Sequence, residues 1–222
     1  FDSYICSLKK ERGEKNTSFS LSPQKLEGSG VLRCPAQIRS LEPYYAVKAT
    51  HNFKLCWDGE NFSSPDYDQT FWEANLYQRD GAKGLVSFAP PKLMFFSEKS
   101  VEMELLPAFW HRNDLTQKTT MIGGRFNIGK HARKVESALL FHEPCEVEIK
   151  QKDALYYLRF HTDEKVVLKP FQFVENIKTL TSGTLLPMEH NKGNPMPLKY
   201  WYTKNKLFYR RRLLKLIKEN LL

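Results

Sequence analysis

The side chains of this chain that could do chemistry are its six histidines and the carboxylates near them. Two metal ligands on one strand must lie two positions apart, because only residues i and i+2 share a face. His161 and Asp163 have this spacing, and they predict a divalent-metal site completed by His111 or His51. The alternative is a solvated turn at the end of a strand. We favour the turn, because the polar run HTDEK is typical of a solvated strand end.

Paired carboxylates are a second candidate. Glu102 with Glu104, and Glu146 with Glu148, could split their pKa values and act as acid and base. Such alternation is more typical of the solvent face of a strand, which we favour for both pairs. The chain has no G-x-S-x-G elbow, and Gly123-Gly124 lacks the Lys-Ser/Thr of a P-loop. The sequence therefore favours a protein without catalysis or cofactor. A metal-dependent enzyme remains the alternative.

Positive charge is concentrated at the C-terminal end of the chain. Residues 199–222 hold eight basic residues and one acid, so they carry +7 and leave 9 − 7 = +2 for the rest. Rings alternate with cations here, which suits a protein partner, nucleic-acid phosphates or a membrane surface. We favour the protein partner, leave nucleic acid open, and regard a membrane as the least favoured. The residues expected to make the contact are Trp201, Tyr202, Lys204, Lys206, Arg210, Arg211, Arg212, Lys215 and Lys218.

A helix is predicted to carry these cations. Thr203 can cap it, and it would run to Leu222. Its predicted apolar stripe consists of Leu207, Leu214, Ile217 and Leu221, and Phe208 and Leu213 broaden it. The opposite face is basic. Packing of this helix on its own domain, with the cations in solvent, is the competing interpretation.

The elements that would position these groups are short strands, and the main set lies between Thr119 and Val174. Alternating and wholly apolar runs bounded by turns predict them. The run Ala154–Phe160 is apolar on both faces, which predicts a central strand. The predicted strands here are Gly124–Ile128, Ser137–His142, Glu146–Lys150 and Ala154–Phe160, with a further extended run from Lys165 to Phe173.

Earlier in the chain, Tyr44–Lys48 and Phe53–Trp57 are predicted to form an antiparallel pair. Leu85–Phe88 and the amphipathic Val101–Leu105 are further strands. About ten short extended segments predict an all-β antiparallel sandwich, jelly roll or small barrel with a C-terminal helix.

The predicted organisation has four parts. They are an N-terminal extension (1–30), a β jelly-roll domain (31–178), a linker (179–198) and the basic C-terminal helix (199–222).

Composition adds three expectations. The four cysteines lack CxxC spacing, which predicts free thiols in a reducing compartment. No apolar run is long enough for a membrane-spanning helix. The first residues lack the apolar stretch of a signal peptide, so secretion by that route is not expected.

Several of these segments resemble a known group. Cys34-Pro35, Trp57-Asp58-Gly59 and the stretches at 93–114, 124–133 and 153–171 are similar to uncharacterised proteins of marine tailed phages, especially T4-like cyanophages. They are more distantly similar to bacterial cupin-like proteins. The resemblance implies an antiparallel jelly-roll or cupin-like sandwich and a viral accessory or assembly protein, in the host cytoplasm or the virion. We also expect a homo-oligomer. The resemblance carries no functional residue over to this chain.

Overall fold

The structure is a computed structural model. It describes residues 5–7, 35–36, 43–68, 76–78, 82–88, 93–131, 135–177, 179–180 and 209–222. The strands are β1 (Ile5–Ser7), β2 (Tyr44–Lys48), β3 (Phe53–Trp57), β4 (Phe62–Ser63), β5 (Leu76–Gln78), β6 (Leu85–Phe88), β7 (Glu102–Pro107), β8 (Thr119–Ile122), β9 (Gly124–Asn127), β10 (Ser137–Phe141), β11 (Cys145–Ile149) and β12 (Ala154–His161). The helices are α1 (Asp114–Lys118) and α2 (Tyr209–Glu219).

The chain divides into two compact units. Unit 1 comprises residues 1–91, 104–124 and 136–160, and unit 2 comprises 92–103, 125–135 and 161–222. The predicted boundaries at 30/31 and 198/199 lie outside the described residues, as do residues 181–198 of the predicted linker. Those boundaries remain predictions.

The sheets of unit 1 are antiparallel. One has the strand order β1-β2-β12-β7, a second β5-β6-β10-β8, and a third β11-β3-β4. Tyr157 of β12 pairs with Ala46 of β2, and Val147 of β11 pairs with Leu55 of β3. The mostly β architecture confirms the predicted class at this level.

Strand β12 lies in the core of unit 1. Its residues from Ala154 to Leu158 are all buried, and it lies between β2 and β7. The predicted central strand is therefore confirmed. Burial of both faces follows from the sequence, because a run of apolar side chains on both sides of a strand leaves no face suited to water. Tyr157 packs with Ala46, Ala108 and Ala154, and these small side chains make room for its ring.

The predicted pairing of β2 with β3 is wrong, although both strands have the predicted bounds. β2 pairs with β1 and β12, whereas β3 pairs with β11 and β4. Ala49 continues the β2–β12 ladder: its N–H donates to the Asp153 carbonyl at 2.9 Å, and its carbonyl accepts from Lys152 N. The connection at residues 50–52 therefore leads from one sheet to another.

Two further predictions need correction. Thr119–Ile122 was not predicted as a strand, yet it is β8 and pairs with β10. The run from Lys165 to Phe173 contains no strand; its one ladder contact is an isolated bridge between Phe171 and Leu221. Pro170 explains part of this result, because proline has no N–H to donate to a ladder.

Unit 2 contains the start of β7, residues 125–127 of β9, and α2. Ile128 N donates to the Val101 carbonyl at 2.9 Å. The buried side chain of Asn127 donates to Ser100 Oγ at 2.8 Å and to Glu102 Oε1 at 2.9 Å, and accepts from Gly129 N. These bonds satisfy a polar group that would be costly to bury without partners.

Candidate functional site

Helix α2 is held on unit 2 by one apolar side. Leu213 and Ile217 are 5% and 7% exposed, and they form a core cluster with Ile177. Burial of each side chain contributes roughly 1.5–3 kcal/mol. The predicted C-terminal helix is confirmed over Tyr209–Glu219. The buried side of the helix differs from the predicted apolar stripe: Leu213 is buried, whereas Leu221 is exposed.

Arg210 is bound to the backbone of its own unit. Its Nε donates to the Gly129 carbonyl at 2.6 Å, and its Nη2 donates to the Glu98 carbonyl at 2.5 Å. Hydrogen bonds from a charged donor are stronger than those from a neutral one. Arg210 therefore fixes the start of α2 on the rest of unit 2. Its guanidinium already donates two hydrogen bonds within the chain.

The other cations of α2 form what we call the basic helix face: Arg211, Arg212, Lys215 and Lys218. All four are exposed. Lys218 Nζ lies 2.9 Å from Glu98 Oε1, and Lys215 Nζ lies 3.8 Å from Glu219 Oε1, but the two lysine side chains remain 56% and 76% exposed. Within the described residues, Arg211 and Arg212 have no ion pair. Two adjacent arginines are thus the least neutralised charges on this face.

The electrostatics of the helix start do not favour these arginines. A helix N-terminus carries a partial positive charge, so cations in the first turn are unfavourable by some tenths of a kcal/mol each. The first turn of α2 contains no acidic residue that would compensate. Helix stability therefore gives no reason for Arg211 and Arg212, and it comes instead from burial of Leu213 and Ile217.

The remaining predicted contact residues, Trp201, Tyr202, Lys204 and Lys206, lie outside the described residues. Their part in the predicted contact remains a prediction.

The predicted metal ligands are distributed over both units. His161 and Asp163 belong to unit 2, where His161 ends β12 and Asp163 is exposed in the turn that follows. In that turn, Glu164 N donates to Thr162 Oγ1 at 3.2 Å, and Glu164 pairs with Lys99 at 2.6 Å. Over the part of the chain that the structure describes, no three His, Cys, Asp or Glu side chains gather as a metal would require. The metal site remains a prediction.

His111 and His51, the candidate third ligands, both belong to unit 1. His111 is 4% exposed, and its Nδ1 lies 2.5 Å from the hydroxyl oxygen of Tyr157. The same oxygen accepts from Trp110 N at 3.2 Å. His51 is hydrogen-bonded to Thr50 and Tyr67. Burial raises the pKa of Tyr67 to about 12. Both histidine side chains are therefore hydrogen-bonded to other residues of unit 1.

The two glutamate pairs differ in exposure, because Glu102 and Glu104 are half-buried. Glu146 and Glu148 are exposed, and Glu146 Oε1 lies 2.7 Å from Lys54 Nζ across the β11–β3 pair. The Lys54 ammonium holds the pKa of Glu146 below its usual value. Glu102 pairs with Arg125 at 3.7 Å. The solvent-face interpretation agrees with the exposure of Glu146 and Glu148.

The Asp114 carboxylate accepts two hydrogen bonds that the sequence did not predict. Its Oδ2 accepts from Lys118 Nζ at 2.8 Å and from Glu148 N at 3.1 Å, so α1 covers the edge of β11. Lys118 Nζ also donates to the Glu146 carbonyl at 2.8 Å. The bond from Lys118 holds the pKa of the Asp114 carboxyl below its usual value. The capping pattern Asn113-x-x-Thr116 was the available signal for this helix.

Replacing Asp114 with asparagine is expected to lower the free energy of unfolding by about 1 kcal/mol at pH 7. A carboxyl whose folded-state pKa is depressed stabilises the fold above its unfolded pKa of about 3.9, and this stabilisation is lost as pH falls through the folded pKa. Urea unfolding at pH 7 and pH 2 should therefore show the difference at pH 7 only. Glu148→Gln, which weakens an exposed pair with Lys150, is the control and should change stability by less than about 0.5 kcal/mol. An equal loss at both pH values would contradict the electrostatic explanation.

Comparisons with known proteins give no relative. No protein-family model matches the chain, and neither a curated protein nor a solved structure does. Among the described residues, no helix is long and apolar enough to cross a membrane. Cys56 and Cys145 are free thiols.

Proposed function

We propose that this chain is a non-catalytic binding protein that contacts an acidic protein partner through the basic helix face. The observation that carries the proposal is the division of α2 into two sides. Its apolar side is buried within unit 2, and Arg210 fixes its start. A rigid helix therefore presents exposed arginines, and pre-organised side chains lose less freedom on binding.

The arginines themselves suggest the chemistry of the partner. Arg211 and Arg212 lie where the helix dipole disfavours cations, so an incoming carboxylate gains both charge pairs and relief of that repulsion. Planar guanidinium groups also bind carboxylates in a bidentate manner.

We propose that the protein serves as an accessory or assembly protein of the tailed-phage type, in the host cytoplasm or the virion. The sequence resemblance at residues 31–175 supports this role. We also propose that the β strands form a jelly roll, which antiparallel pairing and the central position of β12 support.

Charge reversal tests the proposal. The double variant Arg211→Glu/Arg212→Glu should bind fluorescent polyglutamate about tenfold more weakly than the unchanged chain at low salt, since two exposed charge pairs contribute roughly 0.5–1 kcal/mol each. Lys165→Glu/Lys169→Glu is the matched control, with the same change in net charge at two exposed positions of the same unit. It should bind within twofold of the unchanged chain.

Two outcomes would contradict the proposal. Equal weakening by both double variants would mean that net charge, and not the basic helix face, decides binding. Preferential binding of duplex DNA, with a salt dependence that Arg211→Glu/Arg212→Glu reduces by about two ions, would make nucleic acid the partner.

A further inference from the structure

Unit 1 contains a cavity that no function assigned above uses. Its volume is about 210 Å³, and it opens beside the loop that follows β7. Its walls come from the last residue of β7, from the loop that follows it, from α1 and β8, and from one residue each of β10 and β12. The lining residues are Pro107, Ala108, Phe109, Leu115, Thr116, Thr119, Thr120, Met121, Leu139 and Leu155.

The lining is uncharged. Leu139, Leu155 and Met121 are buried hydrocarbon walls. The hydroxyls of two threonines already donate to the main chain: Thr119 Oγ1 to the Leu115 carbonyl at 2.6 Å, and Thr116 Oγ1 to the His111 carbonyl at 2.9 Å. Their protons are therefore not available to a ligand. A charged ligand would lose its hydration here without finding an opposite charge among these ten side chains.

The cavity is open to solvent on one side, so it is a pocket and not a void of the interior. Cores are close-packed, and voids larger than a water molecule are few. A leucine- and phenylalanine-lined cavity of roughly 150 Å³ stays dry and binds benzene. The cavity of unit 1 has a larger volume, about 210 Å³, which is sufficient for one aromatic ring, but it is open to solvent and three of its ten lining residues are threonines.

Phe109 lies at the rim of the cavity and is 54% exposed. Its ring makes edge contacts with Tyr157 at 5.1 Å and with Tyr44 at 5.7 Å between centroids. These neighbours hold the ring in place at the opening. An aromatic edge or face there favours a flat, aromatic occupant over an aliphatic one.

We propose that this cavity binds a small, uncharged molecule with one aromatic ring. The inference is independent of the basic helix face, because all ten lining residues belong to unit 1 and α2 belongs to unit 2. It assigns a small-molecule site to a chain for which we propose a protein partner.

The experiment uses the full chain with toluene and benzoate, two probes of similar size that differ in charge. Toluene should raise the melting temperature and shift the NMR signals of the Met121 and Leu139 methyl groups, whereas benzoate should do neither. Two cavity-filling variants, Ala108→Leu and Leu139→Phe, should each bind toluene at least tenfold more weakly. Leu222→Phe, at a 79% exposed position outside the lining, should bind it as the unchanged chain does.

The proposal is overturned if toluene does not bind at its solubility limit. Unchanged binding by a folded filling variant would place the ligand elsewhere, and benzoate binding as tightly as toluene would contradict the stated chemistry. The two filling variants change different walls, so one decides the question if the other does not fold. If neither variant folds, the NMR spectrum of the unchanged chain decides the question. A shift of the Met121 methyl signal on addition of toluene supports the proposal, and an unchanged signal contradicts it.

Discussion

Replacing Gly129 with alanine is expected to lower the free energy of unfolding by about 3 kcal/mol, the upper end of what overpacking a dense interior costs. A Cβ at this position would overlap the Lys99 carbonyl oxygen, lie 2.9 Å from its carbon, and lie 3.1 Å from Ser100 Cα. These are backbone atoms, which cannot rotate aside as a flexible side chain can. The segment at Lys99 and Ser100 would have to move. Its bonds to Glu164 and Asn127 would weaken with it.

Gly124→Ala is the matched control for that substitution. An added Cβ at Gly124 meets no atom within 4 Å. Without strain, the loss of unfolded-state entropy should stabilise the protein by a few tenths of a kcal/mol. Urea unfolding of both variants measures the difference. Equal, small effects at the two positions would show that the approach of Gly129 to Lys99 is not close in solution.

Replacing Leu213 with alanine is expected to destabilise unit 2 by about 3 kcal/mol, because it removes a buried leucine and leaves a cavity against Ile177. Hydrogen exchange at the α2 amides, together with urea unfolding, measures the loss. The amides of Leu216 and Ile217 should exchange faster.

The neighbouring Arg212→Ala is the control, because Arg212 is exposed and its removal should change stability by less than about 0.5 kcal/mol. The two variants separate the two sides of α2. Leu213→Ala acts on folding, whereas Arg212→Ala should weaken partner binding. A small effect of Leu213→Ala would mean that α2 is not docked through its apolar side, and the basic helix face would lose its rigid support.

Local pattern was sufficient to predict many strands. Local pattern placed β2, β3 and β6 at their observed bounds. In β3, burial alternates along the strand, because one face lies toward water and the other toward the core. A wholly apolar run identified β12 as central. The C-terminal helix followed from its apolar spacing.

Which strands pair with each other could not be predicted from local pattern. β3 lies a few residues after β2 in the chain, yet it pairs with β11, about ninety residues later. Short-range pattern says that a strand exists, but hydrogen bonds between strands depend on which edges the folded chain brings together. β8 was not predicted, although its β-branched residues favour a strand; its place in a sheet follows from its pairing with β10.

The same distinction between local pattern and tertiary contact applies to the candidate sites. By itself, the sequence determined the chemistry available: a strongly basic C-terminal segment and histidines without a dense ligand motif. Only the tertiary structure decided which groups are engaged. It binds Arg210 to two carbonyls and leaves Arg211 and Arg212 exposed, and it forms a pocket with uncharged walls from residues that lie far apart in the chain. Side-chain exposure, hydrogen-bond partners and pocket volume depend on contacts between residues that are distant in the chain, so they cannot be predicted from local sequence.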